Sequence, residues 1–250
     1  MRLRLLLLVL IVLAATSVGA VWSKYQQPSA SPENNGNEAG MDPAAMAPTR
    51  AGMDSHMRMT ALGPLREGDE GRAAEVAART RRAIEKYQDY RAALRDGYEI
   101  LLPHVPQRMY HFNNPGYYAE AGRHFNVEHP TSLLYEKAGG GYRLIGVMYT
   151  APAEATEDEL DARIPLSVAA WHQHVNVCLP EGDPLQNLFG GGTRFGLNGS
   201  ITTEEECRKT GGRFYPRLFG WMIHLYPYEP TAREMWSVER QMADGARHVH

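Results

Sequence analysis

The stretch AAWHQHVNVCL at residues 169–179 is the clearest β-strand pattern in the sequence, because its polar and apolar side chains alternate. Successive side chains of a β-strand point to opposite faces, so His172, His174 and Asn176 share one face. The other face carries apolar side chains, those of Trp171, Val175, Val177 and Leu179. The pattern therefore predicts a strand with one buried face and a second face that presents two imidazoles and an amide.

Two further segments repeat this arrangement. In residues 217–226, His224 points away from an apolar face formed by Phe219, Trp221, Ile223 and Leu225. It shares its own face with Met222 and Tyr226. In residues 107–113, His111 shares a face with Met109 and Asn113, while Tyr110 and Phe112 point the other way. Three strands thus each offer histidine on the face opposite to aromatic or aliphatic residues.

This repeated pattern predicts a metal site formed by His172, His174 and His224, with His111 as a fourth ligand. Three or four imidazoles with an open coordination position suit zinc, copper or non-haem iron. Copper is favoured because methionines lie beside the histidines, and thioethers are ligands for soft ions. Core packing explains the methionines equally simply.

Three functions fit such a site. The first is a mononuclear metalloenzyme, in which the ion polarises a small-molecule substrate or activates water or dioxygen. The second is a non-catalytic copper-handling protein. The third is a metal-free binding module, because a single histidine on a strand is commonly a hydrogen-bonded structural residue.

The remaining histidines give weaker patterns. His124, Glu128 and His129 lie in a loop-like stretch, residues 122–130, where they either add ligands or stay at the surface. His248 and His250 repeat the His-x-His spacing in what is predicted to be a frayed C-terminal tail.

The rest of the folded region predicts an α+β fold, a mostly antiparallel sheet or small β-barrel with one long N-terminal helix packed on it. That helix is expected at about residues 67–96, where an apolar stripe includes Val76, Thr80, Ala83, Ile84, Tyr87, Leu94 and Tyr98. Further strands are expected at residues 131–137 and 142–150, joined into a hairpin by three glycines. Short helices are expected near residues 156–162, 203–209 and 231–241.

The first 65 residues are not expected to join this domain. Residues 1–22 combine Arg2 and Arg4 with an apolar run, which is typical of a signal peptide or an N-terminal membrane anchor. Residues 23–65 are expected to form a disordered linker. Its second half contains His56 and five methionines, at positions 41, 46, 53, 57 and 59, which suit Cu(I) or are simply scattered in a biased tether. The single globular domain is then residues 66–250.

Charge and cysteines indicate the compartment and exclude some partners. The formal net charge is −3 and no cluster of Lys and Arg occurs, which argues against nucleic acid and anionic membranes as partners. Contact with a membrane is expected through the N-terminal segment alone. Cys178 and Cys207 are expected to form a disulfide, and the alternative is a metal-bound thiolate at Cys178. A periplasmic or secreted location follows, with inner-membrane anchoring as the alternative.

Two resemblances accompany these patterns. The His-x-His pair followed by Gly220 and His224 resembles the metal motif of cupins, small barrels that bind divalent ions through His-x-His, a glutamate and a later histidine. Where cupins have the glutamate this chain has Leu179, with Glu181 two residues further on. The order NNP at 113–115, SLLYE at 132–136 and then His224 is similar to that of exported bacterial proteins with no known activity. That second resemblance covers about residues 100–229.

Overall fold

The computed structural model describes residues 55–182, 187–188, 194–237 and 240, all of which belong to one unit, Arg50–His250. The expected targeting segment, most of the linker and the C-terminal histidines lie outside the described residues. No helix in the described part of the chain is long and apolar enough to cross a membrane.

Seven antiparallel strands form one sheet. They are β1 (Met57–Met59), β2 (Glu99–Ile100), β3 (Tyr110–Asn113), β4 (Ser132–Ala138), β5 (Gly141–Ala151), β6 (His172–Pro180) and β7 (Gly212–Leu225). Their spatial order is β1-β6-β7-β5-β4-β3-β2. The predicted hairpin is confirmed as β4–β5, where Gly139 and Gly140 supply the positive φ angles of the turn. Since β1 and β2 do not pair with each other, the sheet is open, and the barrel alternative is wrong.

One face of the sheet packs against the helices to form the main core. Alternate residues of the strands supply it, and each is at most 4% exposed: Phe112, Leu133, Val147, Trp171, Trp221, Ile223 and Leu225. Burying a side chain of this size stabilises the fold by about 1.5–3 kcal/mol. This is the apolar face that the alternation in β3, β6 and β7 predicts, so the histidines of those strands lie on the other side. One residue is an exception: Phe219, expected on the apolar face of β7, is 37% exposed.

The predicted single long helix is wrong. Helix α1 (Asp69–Ile84) is followed by a 3-10 turn (Glu85–Gln88) and a separate helix α2 (Tyr90–Arg95). The break occurs at Asp89, which has an extended backbone and accepts a hydrogen bond from the Arg91 N–H as the N-cap of α2. The new helix has a different phase, so Leu94, expected in the core, is 41% exposed.

Four further short helices have bounds within the described residues: α3 (Pro115–Ala121), α4 (Glu157–Arg163), α5 (Glu204–Lys209) and α6 (Ala232–Met235). Thr156, Thr203 and Thr231 cap the last three, which confirms the helices expected near residues 156–162 and 203–209. The third begins where expected but ends at Met235, well before residue 241. Helix α3 was not predicted. It begins at Pro115 after the N-cap Asn114, whose side chain accepts from the Tyr117 N–H.

A disulfide joins Cys178, near the end of β6, to Cys207 in α5. Both residues are fully buried and pack with Ile201. The prediction of a disulfide is confirmed, and the alternative of a thiolate ligand at Cys178 is wrong. Closing a loop of this length stabilises the fold by about 3–4 kcal/mol in the chain-entropy view.

Strand β7 bends at a bulge opposite the His-x-His pair. His172 pairs with Met222 but His174 pairs with Leu218, so three residues of β7 oppose Gln173 alone. Phe219 has a φ of 69°, and a Cβ on Gly220 would lie 2.1 Å from the Ala151 carbonyl oxygen. Beyond the bulge, β7 pairs with β5, so the bulge sets the register that carries His224.

Candidate metal centre

The four histidines chosen from the sequence lie together on the sheet face opposite the main core. The ring centroids of His172 and His224 are 5.1 Å apart, and those of His172 and His174 are 5.6 Å apart. The His111 ring lies 5.8 Å from that of His224. The structure therefore brings His111, the residue whose position is hardest to predict, beside His224 and into the same group.

His111 reaches the cluster because the sheet is curved. It lies on β3, which β4 and β5 separate from β7. Strands are about 4.8 Å apart, so three intervals would separate β3 from β7 by about 14 Å in a flat sheet. The ring separation of 5.8 Å is less than half of this, so we infer that the two side chains lean toward each other and that the strands curl toward the histidine face. Curvature of the sheet thus brings His111 close to His224, although the two residues are 113 positions apart in the sequence.

The ring spacing matches that of imidazoles around one ion. Two imidazoles that bind an ion at about 2.1 Å and at tetrahedral angles have centroids about 5 Å apart. As the side chains stand, however, no group of three or more His, Cys, Asp or Glu among the described residues is arranged so that it could hold a metal ion. The spacing of neighbouring rings therefore resembles that around an ion, but the side chains as described do not form a metal-binding group.

The imidazoles are held in a region that disfavours their charged form. Burial lowers the pKa of His111 to about 4, with repulsion from His172 adding to it. Burial also lowers the pKa of His174 to about 3, with His172 and His111 adding to it and a backbone hydrogen bond at His56 opposing it. The pKa of His224 falls well below its ordinary value for the same reasons. These three rings are neutral at pH 7, which is the form that binds metals.

Methionines surround the imidazoles on the same face. In the antiparallel registers, Met57 lies opposite His174, and Met59 and Met222 lie opposite His172 from the two neighbouring strands. Met148 lies opposite His224. Directly opposed residues share a face with Cβ atoms about 4.5–5.5 Å apart. Met109, Met148 and Met222 also pack with Leu134 and Tyr226 in a second buried cluster on this face.

Strand β1 is the part of this centre that the sequence did not predict. Residues 57–59 were assigned to a disordered linker, but they form the edge strand beside the His-x-His pair. His56 is 2% exposed, its Nε2 lies 2.6 Å from the Gly199 carbonyl oxygen, and its own carbonyl accepts from the Val175 N–H. The buried position of Met57 adds to this anchoring. The end of the Met-rich segment is therefore ordered next to the imidazoles.

Tyr226 closes one side of the cluster. It is 1% exposed, and its hydroxyl oxygen lies 3.5 Å from Nδ1 of His224. The guanidinium of Arg240 lies 3.8 Å from the centroid of its ring. Tyr226 therefore contacts the His224 ring on its Nδ1 side and shields that side of the cluster from solvent.

The weaker histidine cluster of the sequence forms a separate group around Glu120. Glu120 contacts Nε2 of His124 at 2.9 Å and Nδ1 of His129 at 2.6 Å. Glu128 instead pairs with Arg79. The His129 ring stacks on Tyr117, with centroids 4.1 Å apart. These contacts account for both imidazoles as members of a hydrogen-bonded surface network.

Comparison of the chain with protein-family models, with curated proteins and with solved structures gives no match. The comparisons bear on neither of the two resemblances.

Proposed function

We propose that this chain binds one transition-metal ion, copper by preference, through the imidazoles of His172, His174 and His224, with His111 as a fourth ligand. The observation that carries the proposal is the mutual approach of four histidine rings from three strands onto one face of the sheet.

The chemistry of the ligands supports this function. Neutral imidazole is a ligand for copper, zinc and iron, and burial keeps three of these rings neutral. Rotation about the last side-chain torsion of histidine is soft, so the rings can turn toward a common ion without moving the strands. Metal binding requires this rotation of the imidazole rings, because the described side chains are not arranged as a metal-binding group.

We infer that the domain works outside the cytoplasm. The Cys178–Cys207 disulfide supports this location, because disulfides form and persist in oxidising compartments. Fractionation of cells that express the full chain should recover it with periplasmic or secreted proteins, and recovery in the cytoplasm with reduced cysteines would contradict the inference.

The binding function is tested by titrating the metal-free full chain with Cu(II) and Zn(II) in competition with a chromophoric chelator. The His172→Ala/His174→Ala variant should bind at least about tenfold more weakly, because two ligands are lost. The matched control is His124→Ala/His129→Ala, which removes two imidazoles from the Glu120 network and should leave the affinity unchanged.

Two results would contradict the binding function. The first is a wild-type chain that takes up neither ion. The second is a His172→Ala/His174→Ala variant that binds as tightly as the wild type. Either result would support the metal-free alternative, in which the imidazoles form hydrogen bonds inside a polar cluster.

A further inference from the structure

The methionines of this molecule are distributed unevenly between the two faces of the sheet. Six methionines lie in the described part of the chain, at positions 57, 59, 109, 148, 222 and 235. Five of them are on the histidine face by strand register or by packing. Only Met235 packs against the main core, and none of the buried residues of that core is a methionine.

Filling space does not account for this distribution. Methionine fills irregular gaps in any apolar core, so filler methionines would occur in the main core as well. Instead, four of the six residues directly opposite the imidazoles in neighbouring strands are methionine, and the other two are Leu134 and Leu218. Thioethers are concentrated at the positions whose side chains are nearest to the rings.

A mixed set of thioethers and imidazoles discriminates between metal ions. Thioether sulfur is a soft, neutral ligand that suits Cu(I), whereas zinc in proteins is held by thiolate, imidazole and carboxylate. Neutral ligands also suit a monovalent ion, because little charge has to be balanced in a buried region. Both cysteines of the chain are in the disulfide, so no thiolate competes for this role.

We propose that the site selects monovalent copper, and that Met57, Met59, Met148 and Met222 supply the thioethers that set this preference. The proposal rests on the metal-binding function proposed above and adds the oxidation state and the ligands that choose it. It also gives edge strand β1 a role, because β1 contributes two of the four thioethers.

The test compares affinities for Cu(I) and Zn(II) in the full chain, without oxygen, by competition with a chromophoric chelator for each ion. The test variant is Met57→Leu/Met59→Leu/Met148→Leu/Met222→Leu, which keeps volume and apolarity while removing the sulfur. The matched control is Met235→Leu, the same exchange at the main core. Circular dichroism and the thermal midpoint show whether each variant is folded.

The wild type should prefer Cu(I) to Zn(II). In the variant with four Met→Leu exchanges, the Cu(I) affinity should fall by at least about 100-fold and the Zn(II) affinity by less than about threefold. Both affinities of the Met235→Leu control should equal those of the wild type. A variant whose Cu(I) and Zn(II) affinities stay the same, or fall by one common factor, overturns the role of the thioethers. A wild type that binds Zn(II) but prefers it to Cu(I) overturns the selectivity while leaving the binding function intact. Binding of neither ion overturns both proposals.

A second measurement needs no altered site. The Met41→Leu/Met46→Leu/Met53→Leu variant removes the other thioethers of the linker. This variant is expressed with selenomethionine in place of methionine and is then loaded with Cu(I). X-ray absorption at the copper edge should then show selenium at bonding distance together with nitrogen. A shell of nitrogen alone would show that no methionine of the site binds the ion.

Discussion

At the residue scale, the imidazoles of the cluster give the metal-free fold a dependence on pH. The folded-state pKa of His174 is about 3, against 6.5 for an unperturbed histidine. Between these values the unfolded chain binds a proton that the folded chain does not, so stability falls as the pH drops below about 6.5. Above that pH the residue is neutral in both states and contributes nothing to the dependence.

We expect the metal-free chain to lose up to about 2 kcal/mol of unfolding free energy through His174 alone between pH 7.5 and pH 5.0. Urea unfolding at the two pH values measures this loss. The matched variant His174→Gln has no ring to protonate and should lose correspondingly less over the same interval. Equal losses in the wild type and the variant would show that His174 is not held in its neutral form.

Some of these residues could be chosen from the sequence and others could not. His172 and His174 stand out because alternation around Trp171 assigns them to one face of a strand. Met57 and Met59 do not, because a three-residue strand in a segment rich in methionine, alanine and glycine has no detectable period. Only the pairing of β1 with β6 in the structure shows that these two methionines lie beside the histidines.

At the element scale, the bulge in β7 divides the strand into one part that pairs with β6 and one that pairs mainly with β5. Residues before the bulge pair with β6 and residues after it pair mainly with β5, so β7 connects the strand of His172 to the strand of Met148. The close approach of Gly220 to the Ala151 carbonyl leaves no room for a side chain. The alternation of residues 217–226 predicts the strand and its faces, but a periodic pattern contains no information about a bulge.

The variant Gly220→Ala should lower the unfolding free energy by about 2–3 kcal/mol, because its Cβ would force β7 away from β5. It should also weaken metal binding, since Met222 and His224 follow the bulge. Chemical denaturation and chelator competition measure the two effects.

The matched exchange for this test is Gly71→Ala, on helix α1, where an added Cβ meets nothing within 4 Å. It should raise the unfolding free energy by up to about 1 kcal/mol, because alanine favours the helix more than glycine does. If Gly220→Ala is as stable as the wild type, the bulge tolerates a side chain and does not fix the register.

The helices show a similar division between what sequence can and cannot predict. Thr156, Thr203 and Thr231 are recognisable N-caps, and the helices that follow them are present. The sequence gives no sign of the break at Asp89, because the apolar stripe continues across it to Tyr98. Tyr87 and Tyr98 are both buried in the core on either side of the break, so tertiary packing overrides the continuous helical period there.

At the scale of the whole molecule, the proposed metal site depends on the curvature of the sheet. Sequence patterns give each histidine a strand and a face, but they do not give the order of the strands or the hand and extent of their curl. Those properties arise from the twist of the strands and from the helices that pack on the convex side. This is why His111 could be named as a ligand from the sequence, whereas its 5.8 Å approach to His224 could not be deduced.

The most direct test of the central claim is the metal content of the untagged full chain, purified from the periplasmic or secreted fraction and measured by mass spectrometry. We expect about one equivalent of copper per chain. That metal should be lost in His172→Ala/His174→Ala and reduced in His111→Ala. A chain that carries no metal when purified, and takes up neither copper nor zinc afterwards, would contradict the account and leave the four imidazoles as a metal-free polar cluster.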